Sequence, residues 1–269
     1  MMATTNKLMT NRFYSIILYL LFSCFLTILL FGCGGGSSSG GGEIPQEDDG
    51  DQDDDGDQDD VIIEGILSVG HIDTYDAYKI KINGSYAYIA DFIEGLKIID
   101  ISDPENPSLT GFVETSQAND ICVAGSYAYV ADQSGLKVID ISTISAPVIT
   151  GSVDTHQARN VYVDGSYVYL SDCEQGIKII DISDPANPYI AGSLSTNNAY
   201  GLKVVGTYAY LADSTDGITI IDITNPTQPL LVDVSSLTFK ATGIDIAGSY
   251  AYIADRSQGL KILTIADYQ

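Results

Sequence analysis

The sequence predicts an all-β fold, a five-bladed β-propeller of four-stranded blades, and three observations lead to it. A Tyr-x-Tyr pair recurs five times at intervals of 40 to 42 residues, beginning at Tyr86, Tyr127, Tyr167, Tyr208 and Tyr250. Each period holds four short stretches with the alternation or β-branched content of strands, separated by Gly, Asp and Pro turns. No stretch within a period shows a helical pattern. A period of this length that contains four strands is typical of a propeller blade.

The two ends of the repeated region, residues 61–269, predict how the ring closes. The fifth copy ends in "GLKILTIADYQ" and lacks a fourth strand. The opening stretch "IIEGILSVG" aligns with "SLTGFVETS" and "VITGSVDTH", the fourth strands of two other copies. We therefore expect an N-terminal strand to complete the last blade, because a closed ring leaves no exposed sheet edge. An open β-solenoid, or association into a larger ring, is the alternative.

Residues 1–32 have the order of a bacterial export signal, in which Lys7 and Arg12 precede a long apolar run. The sequence "LLFGC" resembles the lipobox of bacterial lipoproteins, which implies that Cys33 is lipidated and anchors the chain in the cell envelope. Gly34 after it resembles lipoproteins that are sent on to the outer membrane or cell surface. An uncleaved transmembrane anchor is the alternative, since the run is about long enough to span a bilayer.

Residues 33–60 form a Gly/Ser tether followed by an acidic spacer with eleven acidic residues and no basic one. Such a stretch repels itself and buries no apolar surface, so we expect it to be extended and disordered. Asp51, Asp53 and Asp55 match the opening of a calcium loop, but Ile62 occupies the position where an EF-hand needs Glu. A solvated spacer without a cofactor is the main interpretation, and weak calcium binding is the alternative.

The charge of the repeated region limits its partners. From Val61 onward, 25 acidic residues face 10 basic ones, within a formal net charge of −24 for the whole chain. This balance argues against nucleic acid and against adsorption to anionic lipid. Cys122 and Cys173 lie on different copies, so we expect both to be free thiols. We also expect the protein to be a monomer.

The third strands carry a family resemblance. "GLKIIDISDPENP", "GLKVIDIS" and "GIKIIDISDPANP" resemble the LVIVD-repeat proteins, with cores at residues 96–100, 136–140, 177–181 and 218–222. In the fifth copy Thr264 replaces the final aspartate. The resemblance implies a propeller at the surface of a bacterial or archaeal cell, and it brings no catalytic residues.

The residues that recur in every copy are predicted to be structural. Both tyrosines of each pair point to one face of the blade, where they can fill the gap to the next blade. A recurring aspartate precedes the turn after the second strand and can hold it by accepting backbone N–H bonds, at Asp91, Asp132, Asp172, Asp213 and Asp255. A second set ends the third strand, at Asp100, Asp140, Asp181 and Asp222.

The binding site is predicted where the copies differ. In a propeller, the loops from the fourth strand of one blade to the first of the next gather on one face with the turns between second and third strands. A recurring alanine begins each inner strand and marks this face, at Ala77, Ala118, Ala158, Ala199 and Ala241. The candidate ligand-binding residues around it are Asp76, Tyr78, Phe92, Glu94, Gln117, Asn119, Asp120, His156, Arg159, Asn160, Asn198, Tyr200, Lys240 and Arg256.

These features predict a lipid-anchored binding or scaffold module of the cell envelope that engages a protein or a glycan through its variable loop face. No hydrolase elbow, zinc helix, Cys-x-x-Cys pair or phosphate loop is present in the sequence, so no catalytic residue is assigned. The alternative is a carbohydrate-active enzyme, similar to a glycosidase, that uses two carboxylates on the channel face. A third interpretation is a purely structural role in an envelope complex.

Overall fold

The structure of the protein, a computed structural model, describes residues 69–235 and 240–265. The predictions for the export signal, for Cys33, for the tether and for the acidic spacer with Asp51, Asp53 and Asp55 lie outside these residues. Within the described ranges, no helix is long and apolar enough to cross a membrane.

Nineteen strands form five antiparallel sheets in the described residues. Blade one contains β1 (Ala77–Asn83), β2 (Tyr86–Asp91), β3 (Gly95–Asp100) and β4 (Ser108–Val113). Blade two contains β5 (Ala118–Ala124), β6 (Tyr127–Asp132), β7 (Gly135–Asp140) and β8 (Val148–Asp154). Blade three contains β9 (Asn160–Asp164), β10 (Tyr167–Ser171), β11 (Ile177–Asp181) and β12 (Tyr189–Leu194). Blade four contains β13 (Ala199–Val205), β14 (Tyr208–Asp213), β15 (Gly217–Asp222) and β16 (Leu230–Val234). Blade five contains β17 (Ala241–Ala247), β18 (Tyr250–Asp255) and β19 (Gly259–Thr264).

Each sheet is a meander in which every strand pairs with the next along the chain. The first strands of consecutive blades contact one another, from β1 through β5, β9 and β13 to β17. Residues from all five of these strands line one cavity of about 490 Å³. The first strand of each blade is therefore the inner one, and the all-β fold of five blades is confirmed.

The Tyr-x-Tyr pairs pack between blades, as predicted. Tyr88 and Leu96 of blade one contact Ala118 and Ile121 of blade two in a single apolar cluster. The same arrangement joins blades two and three, three and four, and four and five. The second tyrosine of the pair is buried in the first four blades, at Tyr88, Tyr129, Tyr169 and Tyr210. Burying a large apolar side chain contributes about 1.5–3 kcal/mol, so these repeated contacts hold the blades together.

The turn between third and fourth strands is held by the second set of aspartates. Asp100, Asp140 and Asp181 each accept a backbone N–H two residues ahead at 2.8 Å, and Asp222 does the same in blade four. These hydrogen bonds, from the Ser or Thr two positions on, lower the pKa of each carboxyl. Their predicted structural role is confirmed.

The fourth strand of each of the first three blades carries a glycine that allows close approach to the next blade. A Cβ on Gly111 would lie 2.0 Å from the carbonyl oxygen of Ile144, and a Cβ on Gly151 would lie 2.3 Å from that of Pro185. Gly192 meets the oxygen of Pro226 in the same way, at 2.1 Å. No side chain fits at such distances, so these positions require glycine.

Gly70 occupies the same kind of position, and this corrects the predicted alignment of the N-terminal strand. A Cβ on Gly70 would lie 1.9 Å from the carbonyl oxygen of Pro104, in the corresponding turn of blade one. Ile72, two residues later, packs on Ala87, Ile89 and Ile99 of that blade. The equivalent of the "G" in "SLTGFVETS" is therefore Gly70, five residues after the one that the sequence alignment selected.

Ring closure itself stays a prediction. Among the described residues, blade five has three strands. No fourth strand pairs with the free edge of β19 in the described ranges. The face of blade five that would meet blade one exposes Leu260 and Ile262, while β1 exposes Ile80 and Ile82. These two apolar faces are the surfaces that closure would bring together.

Candidate functional site

The loops of the variable face are held in place by the buried aspartates at the ends of the second strands. Asp132 accepts the backbone N–H of Ser134 in its own turn and those of Ser116 and Gln117 in the loop that enters β5. The distances are 2.9, 2.7 and 3.1 Å. One carboxylate thus joins the two kinds of loop that form this face, whereas the sequence predicted only that Asp132 holds the turn after the second strand.

The same double attachment recurs at Asp91 and Asp213, while Asp172 and Asp255 each hold one of the two loops. Asp91 binds the N–H groups of Tyr75 and Asp76 on one side and those of Ile93 and Glu94 on the other. Asp213 binds Asn198 together with Thr215 and Asp216. Asp172 holds His156 and Gln157, and Asp255 holds its own turn through Ser257 and Gln258. We call these five aspartates the loop pins.

At Asp91 and Asp132 the hydrogen bonds outweigh the effect of burial on the pKa. Burial raises the pKa of Asp91, but the N–H groups of Glu94, Asp76 and Tyr75 and the charge of Lys97 lower it below its ordinary value. Burial likewise raises the pKa of Asp132, and hydrogen bonds led by those of Ser134 bring it below its ordinary value. Both pins are therefore ionised at neutral pH, which suits an acceptor of several N–H bonds.

A β-bulge at the start of the inner strand directs the candidate side chains. In β5, Ala118 pairs with Asp132 and Asp120 pairs with Ala131, so that Asn119 is the extra residue between them. Equivalent bulges place Tyr78, Tyr200 and Thr242 in the same position of their blades. Bulges commonly redirect a side chain. Here the bulged residue is the one that differs between blades. We call this set, with Arg159 of blade three, the mouth residues.

Four candidate residues from four blades meet at the mouth. Arg159 donates from Nε to the Sγ atom of Cys173 at 3.3 Å and from a terminal nitrogen to Oδ1 of Asn119 at 3.5 Å. Its guanidinium carbon lies 5.5 Å from the centroid of the Tyr200 ring. The guanidinium carbon of Arg256 lies 5.7 Å from the same centroid. The two arginines that follow residue 61 thus both contact the ring of Tyr200.

The partners of this cluster fix its geometry. Asn119 is buried, and its Nδ2 donates to the carbonyl oxygen of Ala158 at 2.8 Å. The hydroxyl of Ser171 donates to the carbonyl oxygen of Tyr200 at 2.7 Å. The amide of Asn119 is therefore oriented with its oxygen toward Arg159, and the backbone that carries Tyr200 is tied to blade three.

Blade one contributes an aromatic pair that includes the mouth residue Tyr78. Tyr78 and Phe92 stack with their ring centroids 4.7 Å apart and an interplanar angle of 15°. Tyr78 is 52 % exposed. Glu94, in the adjacent turn, forms an ion pair with Lys97, whose Nζ also lies 3.5 Å from Oδ2 of Asp91. The carboxylate of Glu94 is therefore already paired.

Several candidates contribute backbone rather than side-chain contacts. Asp76, Gln117, His156 and Asn198 donate their backbone N–H groups to the loop pins. The carbonyl oxygen of Lys240 accepts the N–H of Arg256 at 3.2 Å. Their side chains lie near the rim, exposed at His156 and Lys240 and half-buried at the other three. A ligand-binding role for these side chains stays a prediction.

Two candidates belong to the central channel instead of the mouth. Asp120 and Asn160 line the 490 Å³ cavity together with residues that the sequence analysis missed, namely Lys79, Lys81, Tyr162, Lys203 and Asp245. These positions follow the recurring alanine by two or four residues, and this alternation was the signal in the sequence that could have identified them.

The channel carboxylates differ in environment. Asp120 is buried and accepts the backbone N–H groups of Ile121 and Val161, the latter from the next blade. Burial raises the pKa of Asp120, against the effect of these hydrogen bonds and of Lys79 and Lys81. Asp245 pairs with Lys203 at 2.7 Å, and this contact lowers its pKa. Asp120 is thus built into the channel wall, which corrects its assignment to the loop face.

Metal and thiol chemistry finds little support in the described part of the chain. No group of three or more His, Cys, Asp or Glu side chains there is arranged to hold a metal ion. Cys122 and Cys173 are free, as predicted. Cys173 is buried and has a left-handed backbone with φ of 38°, in the turn that faces Arg159. Its thiol serves the site as an acceptor for that arginine.

Solved structures share this fold at low sequence identity. A computationally designed protein, Ika8, matches over 72 % of this chain with a TM-score of 0.56 and 10 % identity. The match spans 59 % of the designed protein's own length. A functionally unknown protein from Desulfotomaculum acetoxidans matches over 71 % of this chain and 69 % of its own, with a TM-score of 0.57 and 14 % identity. These likenesses concern the fold alone.

Comparison with curated proteins finds no match. The family comparison is specific. The model of the LVIVD repeat matches five times, at residues 76–115, 116–155, 157–196, 197–236 and 240–267. Each match contains one of the five recurring tyrosine pairs, and together the matches cover well over half of the chain. The chain therefore belongs to the LVIVD-repeat family.

Proposed function

We propose that this protein is a lipid-anchored binding or scaffold module of the cell envelope, which engages a protein or a glycan through the mouth of its propeller. The observation that carries the proposal is the cluster of Asn119, Arg159, Tyr200 and Arg256. These residues come from four blades, they differ in type from copy to copy, and they contact one another around one aromatic ring.

Rigid loops favour binding over a merely solvated surface. Each loop pin holds at least one of the two loops beside it, and Asp91, Asp132 and Asp213 hold both, so the mouth residues have little freedom left to lose when a ligand binds. A site formed by variable residues on a repeated frame is a common arrangement for recognition.

The proposed attachment to the envelope has separate support. The lipobox-like "LLFGC" places Cys33 directly before the Gly/Ser tether, and the spacer that follows would hold the propeller away from the membrane. Replacing Cys33 with Ser tests this point. We expect Cys33→Ser to move the protein from the membrane fraction to the soluble fraction, and unchanged partitioning would instead indicate a transmembrane anchor.

A carbohydrate-active enzyme is the second candidate, because two carboxylates with oppositely shifted pKa values line the channel. Asp120 could serve as an acid and Asp245 as a base in such a reaction. We prefer binding, since both oxygens of Asp120 already accept backbone N–H groups and Asp245 is paired with Lys203. Turnover of glycosides that is lost in Asp245→Asn, with folding unchanged, would support the enzyme instead.

The binding proposal is tested with a glycan array and with purified envelope proteins, both probed with the detergent-solubilised full-length chain. The test variant replaces Arg159, Tyr200 and Arg256 with Ala. A matched control replaces Thr110, Ser152 and Ser193 with Ala, three polar residues of the outer strands β4, β8 and β12. We expect a captured ligand to be lost by the test variant and kept by the control. A ligand that both variants bind equally would show that the mouth is not the binding surface.

A further inference from the structure

We propose that the mouth recognises an acidic glycan, and that Arg159 and Arg256 hold a carboxylate of one of its sugars beside Tyr200. This inference rests on the proposed function and specifies its ligand. It follows from the charge, the partners and the neighbours of the two arginines.

The two arginines lie close to one ring in a domain whose net charge is negative. Acidic residues outnumber basic ones by 25 to 10 from Val61 onward, and Arg159 and Arg256 are the two arginines of this region. They come from blades three and five, yet both guanidinium groups contact the ring of Tyr200 in blade four. The face of an aromatic ring attracts a cation, which partly offsets the repulsion between the two charges.

Neither arginine is neutralised by a carboxylate within the described ranges. The ion pairs found there involve His71, Lys97, Lys137 and Lys203. The hydrogen-bond acceptors of the Arg159 side chain are the thiol of Cys173 and the amide of Asn119, both uncharged. Two positive charges therefore meet at the mouth without a counter-charge, and guanidinium groups bind carboxylates with paired N–H donors.

Arg159 is also positioned before a ligand arrives. Two of its five N–H donors are used to hold it against Cys173 and Asn119, and the others remain for a ligand. Arg256 lies on the exposed rim directly after the loop pin Asp255, whose bonds to Ser257 and Gln258 hold its turn. A carboxylate entering between them gains two charge-assisted contacts at a small cost in ordering.

The surroundings favour a sugar over a peptide. The exposed face of Tyr78, stacked on Phe92, offers a flat apolar surface to the C–H face of a sugar ring. A protein ligand needs apolar anchors at the centre of its interface. Exposed large aliphatic side chains are frequent on the outer strands, as at Leu109, Val148 and Leu230, and blade one exposes Tyr75, Tyr78 and Ile93 on the variable face.

The test uses the full-length chain in detergent and two probes that differ in charge alone. Isothermal titration calorimetry compares a galacturonic acid trisaccharide with its fully methyl-esterified form. We expect the free acid to bind and the ester to bind at least about tenfold more weakly, because the charge-assisted hydrogen bonds are lost. Raising the salt concentration should weaken the binding of the acid and leave the binding of the ester unchanged.

Variants assign the effect to the arginines. Arg256→Gln should weaken binding of the acid at least about tenfold without changing the melting temperature, since this exposed side chain is held, among the described residues, by its contact with the Tyr200 ring. Arg159→Gln should do the same, although it also removes two internal contacts. Lys137→Gln removes the same charge from the side of blade two, next to Asp154, and should change the affinity less than about twofold.

Three results would overturn the inference. The first is equal binding of the acid and the ester, and the second is equal binding of poly-glutamate, which would indicate recognition of an acidic peptide. The third is no binding of the acid at all. If another ligand then still depends on Arg159, Tyr200 and Arg256, the proposed binding function stands and only its assignment to acidic glycans fails.

Discussion

The loop pins and the residues that directly follow them are neighbours in the chain, yet they behave in opposite ways. Every copy has aspartate at the pin, buried and bonded to backbone N–H groups. The next residue differs in each copy and is Phe92, Gln133, Cys173, Ser214 or Arg256. The pin is buried, whereas the next side chain contacts a mouth residue in blades one, three and five, through Phe92, Cys173 and Arg256. A repeat can therefore keep its loops rigid while one adjacent position changes freely to suit a ligand.

The largest expected effect is at the tyrosines that fill the gaps between blades. Tyr129→Ala should lower the free energy of unfolding by about 4 kcal/mol, because it empties a buried aromatic site between blades two and three. Tyr252→Ala, at the same position of blade five, should cost less than about 2 kcal/mol, since this side chain is half-buried. Urea denaturation measures both. Equal losses would indicate that the face of blade five is covered in solution, as ring closure requires.

The pins provide the next largest effect and test the comparison directly. Asp132→Ala should lower the free energy of unfolding by about 3 kcal/mol, because the backbone N–H groups of Ser116, Gln117 and Ser134 lose their acceptor. Gln133→Ala, one residue on and exposed, should stay within about 0.5 kcal/mol of the unsubstituted chain. Similar losses in the two variants would contradict the division between fixed and variable positions.

A substitution at Gly70 should have a smaller effect on the free energy of unfolding, and it tests the corrected alignment of the N-terminal strand. Gly70→Ala should cost about 1–3 kcal/mol, because its Cβ would overlap the carbonyl oxygen of Pro104 in the turn of blade one. Gly243→Ala is the matched control, since a Cβ there meets its nearest neighbour, the Cβ of Ala254, at an ordinary 3.5 Å. If Gly70→Ala unfolds at the same urea concentration as Gly243→Ala, the segment before blade one is not packed as described.

Acidification should produce the smallest effect between pH 7 and pH 4. The pKa values of Asp91 and Asp132 lie below the ordinary value of 3.8 in the folded state. Their contribution is therefore complete above pH 3.8 and is lost as the pH falls through the folded-state values. The raised pKa of Asp120 acts in the opposite direction, since its protonation relieves a buried charge. We expect a nearly constant melting temperature down to pH 4, a fall of several degrees at pH 3, and a shallower fall in Asp132→Ala.

Much of the fold could be predicted because its information is local and repeated five times. The tyrosine pairs, the pins and the turn aspartates lie at fixed distances within each copy, so one copy explains the others. Less of the candidate site could be predicted. Asn119 was correctly placed near the mouth, but its neighbour Asp120 is part of the channel wall. A bulge at Asn119 separates the directions of these two successive side chains, whereas the sequence prediction treated them as parts of one loop.

The sequence by itself determined the number of blades, the order of their strands, the family and the division between repeated and variable positions. These follow from periodicity, which requires no knowledge of distant contacts. Only the tertiary structure decided that Arg159 and Arg256 share the ring of Tyr200, that Asp120 and Asp245 face one channel, and that Gly70 meets the turn of blade one. Contacts between blades depend on how each sheet is set against the next and on how far side chains reach. Residues of different copies meet there for reasons that no single copy contains.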